Sequence, residues 1–174
     1  MKATLNKDKI IKLFNSLNRA LSKENIRGEI YLVGGAVMAL AYNARSSTKD
    51  IDGYFVPKEK IRKLAQKVGE KEGVGGDWLN DAVKGFLGDK GKFEIFLELD
   101  HLKIYVAQAE FLLATKCLAF RIGEEFHDED DIRYLLRFLN IEKYKDAIDA
   151  IKKYYPIEQF PQKTLYALEE ILGK

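Results

Sequence analysis

With one cysteine, three prolines and two histidines among 174 residues, this chain excludes several kinds of protein at the outset. A lone thiol, Cys117, rules out an intramolecular disulfide framework; its apolar neighbours mark it as a buried reduced thiol, which suits a reducing cytoplasm. His101 and His127 stand far apart without a second cysteine, so no zinc cluster is written in the sequence. No apolar run approaches the roughly eighteen residues that span a bilayer, and Met1 to Lys9 is too polar for a signal peptide. The expectation is a soluble cytoplasmic protein with no membrane partner. Neither sign of charge dominates: 29 basic side chains against 27 acidic ones leave a formal charge of +2, too balanced for a nucleic-acid coat without a local basic patch.

What is present is globular. Hydrophobic residues make up 47% and charged residues 32%, without low-complexity tracts or repeats. The length suits one compact domain carrying a packed helical extension. Ile10, Phe14, Leu17 and Leu21 recur at helical spacing behind Asn6, a candidate cap. Glu29 to Val33 reads as a strand ending at Gly34 and Gly35, and Ala36 to Tyr42 as a helix. After the polar string Arg45 to Thr48, Lys49 to Val56 alternates as a second strand; Pro57 then opens a helix with Ile61, Leu64 and Val68 on one face. Gly73 to Gly76 is a loop, and Asp77 to Phe86 has no firm pattern. Lys92 to Leu99 and Leu102 to Val106 form a hairpin around Asp100 and His101. Helices are predicted over Phe111 to Ile122, Asp128 to Leu139, Glu142 to Tyr155 and Gln162 to Leu172, with breaks at Gly123, Asn140 and Pro156. The expected class is α/β (α+β): a mixed sheet with flanking helices over residues 1–108, then a helical part over 109–174.

The stretch from Tyr31 to Phe55 carries the chemistry. Side chains two apart on a strand share a face, so Asp50 and Asp52 can bring two carboxylates to one hard cation such as Mg²⁺ or Mn²⁺ while Ile51 faces the core. Gly34 and Gly35 let backbone approach phosphate oxygens beside the start of a helix. Each signal alone is also an ordinary solvated strand face or an ordinary turn; their order and spacing distinguish them.

In that order and spacing the segment resembles the nucleotidyltransferase superfamily, where a glycine pair opens a short helix and an Asp-x-Asp follows on the next strand. CCA-adding enzymes carry a similar arrangement to Gly34-Gly35 and Lys49-Asp50-Ile51-Asp52. Phe111 to Leu136 is closer to AbiEii-type nucleotidyltransferase-like proteins, including toxins of toxin-antitoxin pairs: Lys116, Arg121, Asp128, Asp131 and Ile132 stand at matching places, while His127 replaces a common arginine. The resemblance implies that Lys116 contacts nucleotide phosphate and that Asp128 or Asp131 orients it or the acceptor. Two acids three apart also suit a helix N-terminus, and both readings stand.

The expected activity is metal-dependent transfer of a nucleotidyl group from a nucleoside triphosphate, ATP, CTP or another, to a hydroxyl acceptor. Asp50 and Asp52 would hold the metal; Gly34, Gly35, Ser46, Ser47, Thr48 and Lys116 would cradle the triphosphate. A third carboxylate on a later strand serves many superfamily members as base or further ligand. Glu98 is its first candidate here, ahead of Glu94, with which it shares a face in an unbroken strand. The resemblance implies tRNA as acceptor and a cognate antitoxin as partner. An inactive binding module and an antibiotic nucleotidyltransferase are the alternatives. Trp78, Tyr154 and Tyr155 read as packing residues.

Overall fold

The computed structural model describes residues 2–81, 91–123 and 126–173. In chain order the elements are β1 (Leu5–Asn6), α1 (Lys7–Lys23), β2 (Gly28–Val33), α2 (Gly35–Leu40), β3 (Ser47–Thr48), β4 (Ile51–Val56), α3 (Lys58–Lys71), β5 (Leu79–Asn80), β6 (Phe93–Glu98) and β7 (Leu102–Ala107). There follow α4 (Ala109–Leu118), α5 (Asp128–Phe138), α6 (Tyr144–Ile151), a 3₁₀ turn (Ile157–Gln159) and α7 (Gln162–Leu172). The chain divides into two compact units, Met1–Lys84 with Phe93–Ala107, and Gly85–Lys92 with Gln108–Lys174. The mixed α/β class expected from the sequence is the class observed.

The first unit is a five-stranded mixed sheet of order β5-β4-β2-β7-β6, beside which β1 and β3 form a short separate pair. Strand β2 runs antiparallel to β4 and parallel to β7. Alternation sends Ile30, Leu32, Ile51, Phe55, Leu102, Ile104 and Val106 to one face, where all are buried. Helices α1 and α3 cover that face. Asn6 caps α1 by accepting a hydrogen bond from the Lys9 amide at 2.8 Å, and Ile10, Leu13, Phe14, Leu17 and Leu21 form the inward stripe. The opposite face carries Asp52, Tyr54, Tyr31, Tyr105 and Phe93, with Tyr31 stacked on Tyr105 at 4.6 Å.

The β6–β7 hairpin turns at Asp100 and His101, closed by the Leu99 amide donating to the Leu102 carbonyl at 2.8 Å. Its strands depart from unbroken alternation. Ile95 pairs with Tyr105 but Leu97 pairs with Ile104, so Phe96 is an extra residue, a bulge. One inserted residue reverses every side chain beyond it. Glu94 therefore stands opposite Val106 and Glu98 opposite Lys103, on different faces of the sheet, and the shared face expected for them does not exist.

In the stretch that shows no sequence pattern, Trp78 is fully buried against Phe14 and donates its indole N–H to the Ala65 carbonyl at 2.6 Å. This anchors β5, whose Leu79 and Asn80 pair in parallel with Ile51 and Asp52. Val83 and Phe86 lie outside the described residues.

The second unit is helical. Helix α4 is buried along nearly all its length and packs with α5 and α6. It stops at Leu118 rather than Ile122: the backbone leaves helical geometry at Ala119, and the Arg121 amide is taken by a carboxylate of α5. Helix α6 is likewise shorter than Glu142 to Tyr155; Tyr154 instead donates to Glu110 of α4 at 2.8 Å. Asn140 ends α5 in a left-handed conformation, φ 56°. Cys117 is buried, and burial pushes its thiol pKa well up, as an inert reduced cysteine requires.

Candidate active site

The register of β2 against β4 pairs Val33 with Asp52, so the chain leaving β2 at Gly34 passes beside that aspartate. Gly34 has φ +76°, where a side chain is strained, and a Cβ there would lie 3.5 Å from Asp52 Oδ2. Gly35 serves by size. A Cβ on it would stand 2.6 Å from Arg45 Nη1 and 3.0 Å from Thr48 Oγ1, so the bare backbone makes room for a guanidinium over the turn. The Thr48 hydroxyl donates to the Asp50 carbonyl at 3.0 Å, and Ser47 and Thr48 pair with Asn6 and Leu5. Ser46 is exposed on the same loop. The structure thus groups Gly34, Gly35, Arg45, Ser46, Ser47, Thr48, Asp50 and Asp52 at one end of the sheet.

Asp50 and Asp52 flank the fully buried Ile51. The Lys2 ammonium donates to the Asp50 carboxylate and lies 3.2 Å from the Asp77 carboxylate. The hydrogen bond to Asp50, foremost, raises the Lys2 pKa, and Lys2 in turn holds the Asp77 carboxyl below its usual range. Beside Asp52, in the parallel pair with β5, stands Asn80, an amide. Arg45, Lys2, Asp77 and Asn80 escape a reading of the sequence. Only Arg45, at the head of the polar string before Asp50, carries a local signal; a two-residue strand pairing across forty residues leaves none.

Glu98, the candidate third carboxylate, is not brought to this group. Its partner Lys103 is in register with Glu29, which pairs with Val56 at the far end of β4 from Asp52; the Glu98 carboxylate lies 3.7 Å from the Lys103 ammonium. Glu94 is nearer the right end of the sheet but on the face covered by α1 and α3. Among the described residues no group of three or more His, Cys, Asp or Glu is arranged to hold a metal. The donor set is the aspartate pair. It fits Mg²⁺, which is commonly held by one or two carboxylates with substrate phosphates and water completing its shell, and the ammonium seated on Asp50 marks a position that attracts a cation.

In the second unit, Lys116 projects from α4 with 7% exposure, and its ammonium lies 2.8 Å from Asp131 and 3.4 Å from Asp128. Asp128 also accepts from the Arg121 backbone amide at 3.0 Å and from Arg121 Nε at 2.9 Å. Burial alone would raise the Asp128 carboxyl, but the Arg121 hydrogen bonds and the neighbouring positive charges outweigh it, so its pKa is lowered. His127 is the N-cap residue of α5 and makes no side-chain capping bond. The two aspartates therefore satisfy a buried lysine as well as occupying the first turn of a helix.

A mixed sheet with a glycine turn leaving one strand and an aspartate pair at the start of its antiparallel neighbour, Asp52 within β4 and Asp50 just before it rather than on the strand, defines a nucleotidyltransferase-type fold. The chain belongs to the family described as nucleotidyltransferase of unknown function (DUF6036), whose model matches residues 8–166. Its structure is similar to that of an antigenic nucleotidyltransferase-like protein from Paracoccidioides brasiliensis, at 15% identity and a TM-score of 0.50, over 95% of this chain and 95% of that one. At that identity the likeness is one of fold. No curated protein matches the chain.

Proposed function

We propose that the chain transfers a nucleotidyl group from a nucleoside triphosphate to a hydroxyl acceptor, with Asp50 and Asp52 holding Mg²⁺ or Mn²⁺. The observation that carries this reading is the register of Val33 with Asp52, which sets the glycine turn against the carboxylates at one end of the sheet. Gly34 and Gly35 leave backbone accessible to the triphosphate tail. Arg45, Ser46, Ser47 and Thr48 supply charge and hydrogen-bond donors to it. The acceptor hydroxyl gives up its proton to solvent as its oxygen bonds to the α-phosphorus, the bond from that phosphorus to the bridging oxygen breaks, and the tail departs as pyrophosphate. A bound divalent cation supplies charge stabilisation to the attacking and leaving oxygens. Lys116 is read as a phosphate-contacting residue through its resemblance to AbiEii-type proteins, with Asp131 and Asp128 fixing the direction of its ammonium. The same resemblance supports tRNA as acceptor and a cognate antitoxin as partner.

A second reading has its own observation. The residue paired with Asp52 across β5 is Asn80, and neither Glu98, at the far end of the sheet, nor Glu94, on its other face, brings a third carboxylate beside it. An inactive module of the same fold would bind nucleotide and release no pyrophosphate.

Incubation with each α-labelled nucleoside triphosphate, Mg²⁺ and total tRNA, beside an Asp50→Ala/Asp52→Ala control, separates the two. Label in RNA and pyrophosphate that vanish together in the control establish the transferase with its donor and acceptor. Equal turnover by the control would sink the mechanism. Pyrophosphate released only on adding an aminoglycoside or lincosamide would point to a small-molecule acceptor.

A further inference from the structure

Strand β1 delivers a lysine to the aspartates. Leu5 is buried, and Asn6 both caps α1 and pairs with Ser47, so the chain is pinned three residues after Lys2. From that anchor the Lys2 nitrogen reaches three oxygens of the same unit: the Asp50 carboxylate, the Asp77 carboxylate at 3.2 Å and the Asp77 carbonyl at 3.5 Å. Asp77 is held there by its neighbour Trp78, fully buried in the core, although its own carboxylate faces solvent with 78% of the side chain exposed. The result is an oxygen cage around a compact positive charge. Carboxylate and carbonyl oxygens are also the donors that hard divalent cations take.

We infer that Lys2 is a built-in competitor for the cation position: its ammonium neutralises Asp50, and a divalent cation loads by displacing it. This rests on the reading of Asp50 and Asp52 as the metal-holding pair. Two properties of the contact make it a switchable competitor. Lys2 and Asp50 are each about a third or more exposed, so the pair is weak enough for a divalent ion to break. The short tether to β1 keeps the ammonium at high local concentration, so it returns whenever the cation leaves. Cation demand would then be set by a residue that contacts neither nucleotide nor acceptor.

The test is Mn²⁺ binding by the full chain without nucleotide, followed by electron paramagnetic resonance, in wild type, Lys2→Gln, Lys2→Arg and Asp50→Ala/Asp52→Ala. Removing the competing charge should tighten Mn²⁺ binding by about three- to tenfold in Lys2→Gln, while Lys2→Arg stays close to wild type. The Asp50→Ala/Asp52→Ala protein should bind none. Equal dissociation constants for wild type and Lys2→Gln, with binding still lost in Asp50→Ala/Asp52→Ala, overturn the competitor and leave the metal site standing. No Mn²⁺ binding by wild type and Lys2→Gln alike overturns both.

Discussion

Lys116, Asp128 and Asp131 form a buried ionic group whose members depend on one another. Each is less than a tenth exposed, and removing one partner strands charge that water cannot reach. Lys116→Ala should therefore cost about 3–5 kcal/mol, read as a lowered midpoint in denaturant unfolding followed by circular dichroism. The group also predicts an acid limb of stability. Asp128 has a folded pKa below its ordinary 3.8, so its contribution is complete above that value and is lost as pH falls through the lowered one. Thermal melting should drop over that acid range in wild type, and Asp128→Asn, already less stable at neutral pH, should show a flatter profile; parallel profiles would remove Asp128 as the source. Lys116 sits in an apolar stretch, which is why the sequence suggests a lysine with a task. That its partners come from α5 is visible only when the two helices are packed.

At the scale of elements, the β2–α2 turn separates two uses of glycine. Gly34→Ala forces a side chain into positive φ but meets only an ordinary contact with Asp52, so its cost is conformational, about 1 kcal/mol or somewhat more, read in melting temperature. Gly35→Ala has no such backbone penalty. Its Cβ collides with Arg45 and Thr48, so the expected effect is weaker nucleotide binding with a smaller change in stability. Reversal of that pattern in paired melting and binding measurements would refute the division of roles. The turn is legible in the sequence because strand, glycine pair and helix are contiguous. The bulge at Phe96 is not: Lys92 to Leu99 is apolar and β-favouring throughout, and nothing within it marks where an extra residue goes. Glu98 fails as a site residue because it pairs with Lys103 at the end of the sheet away from Asp52, and the insertion parts it from Glu94, which goes to the other face.

For the whole molecule, ligand binding should appear as stability. If the aspartate pair holds a metal-nucleotide complex, a triphosphate with Mg²⁺ at a hundred times its dissociation constant stabilises the folded state by about 2.7 kcal/mol, which for a chain of this size raises the melting temperature by roughly 5–11 °C. The shift should require Mg²⁺ and be absent from Asp50→Ala/Asp52→Ala; a shift retained by that variant would place nucleotide elsewhere. The sequence by itself determined the mixed α/β class, the order of strand, glycine turn and aspartate-bearing strand, and the succession of helices after Glu110. Those features are written in neighbouring residues, through alternation, helical periodicity and the backbone freedom of glycine. Tertiary structure alone decided which distant side chains meet: Lys2 on Asp50 and Asp77, Arg45 over Gly35, Asn80 beside Asp52, and Lys116 between Asp131 and Asp128. Each of these is set by strand register or helix packing between segments far apart in the chain, and no local pattern encodes such a distance.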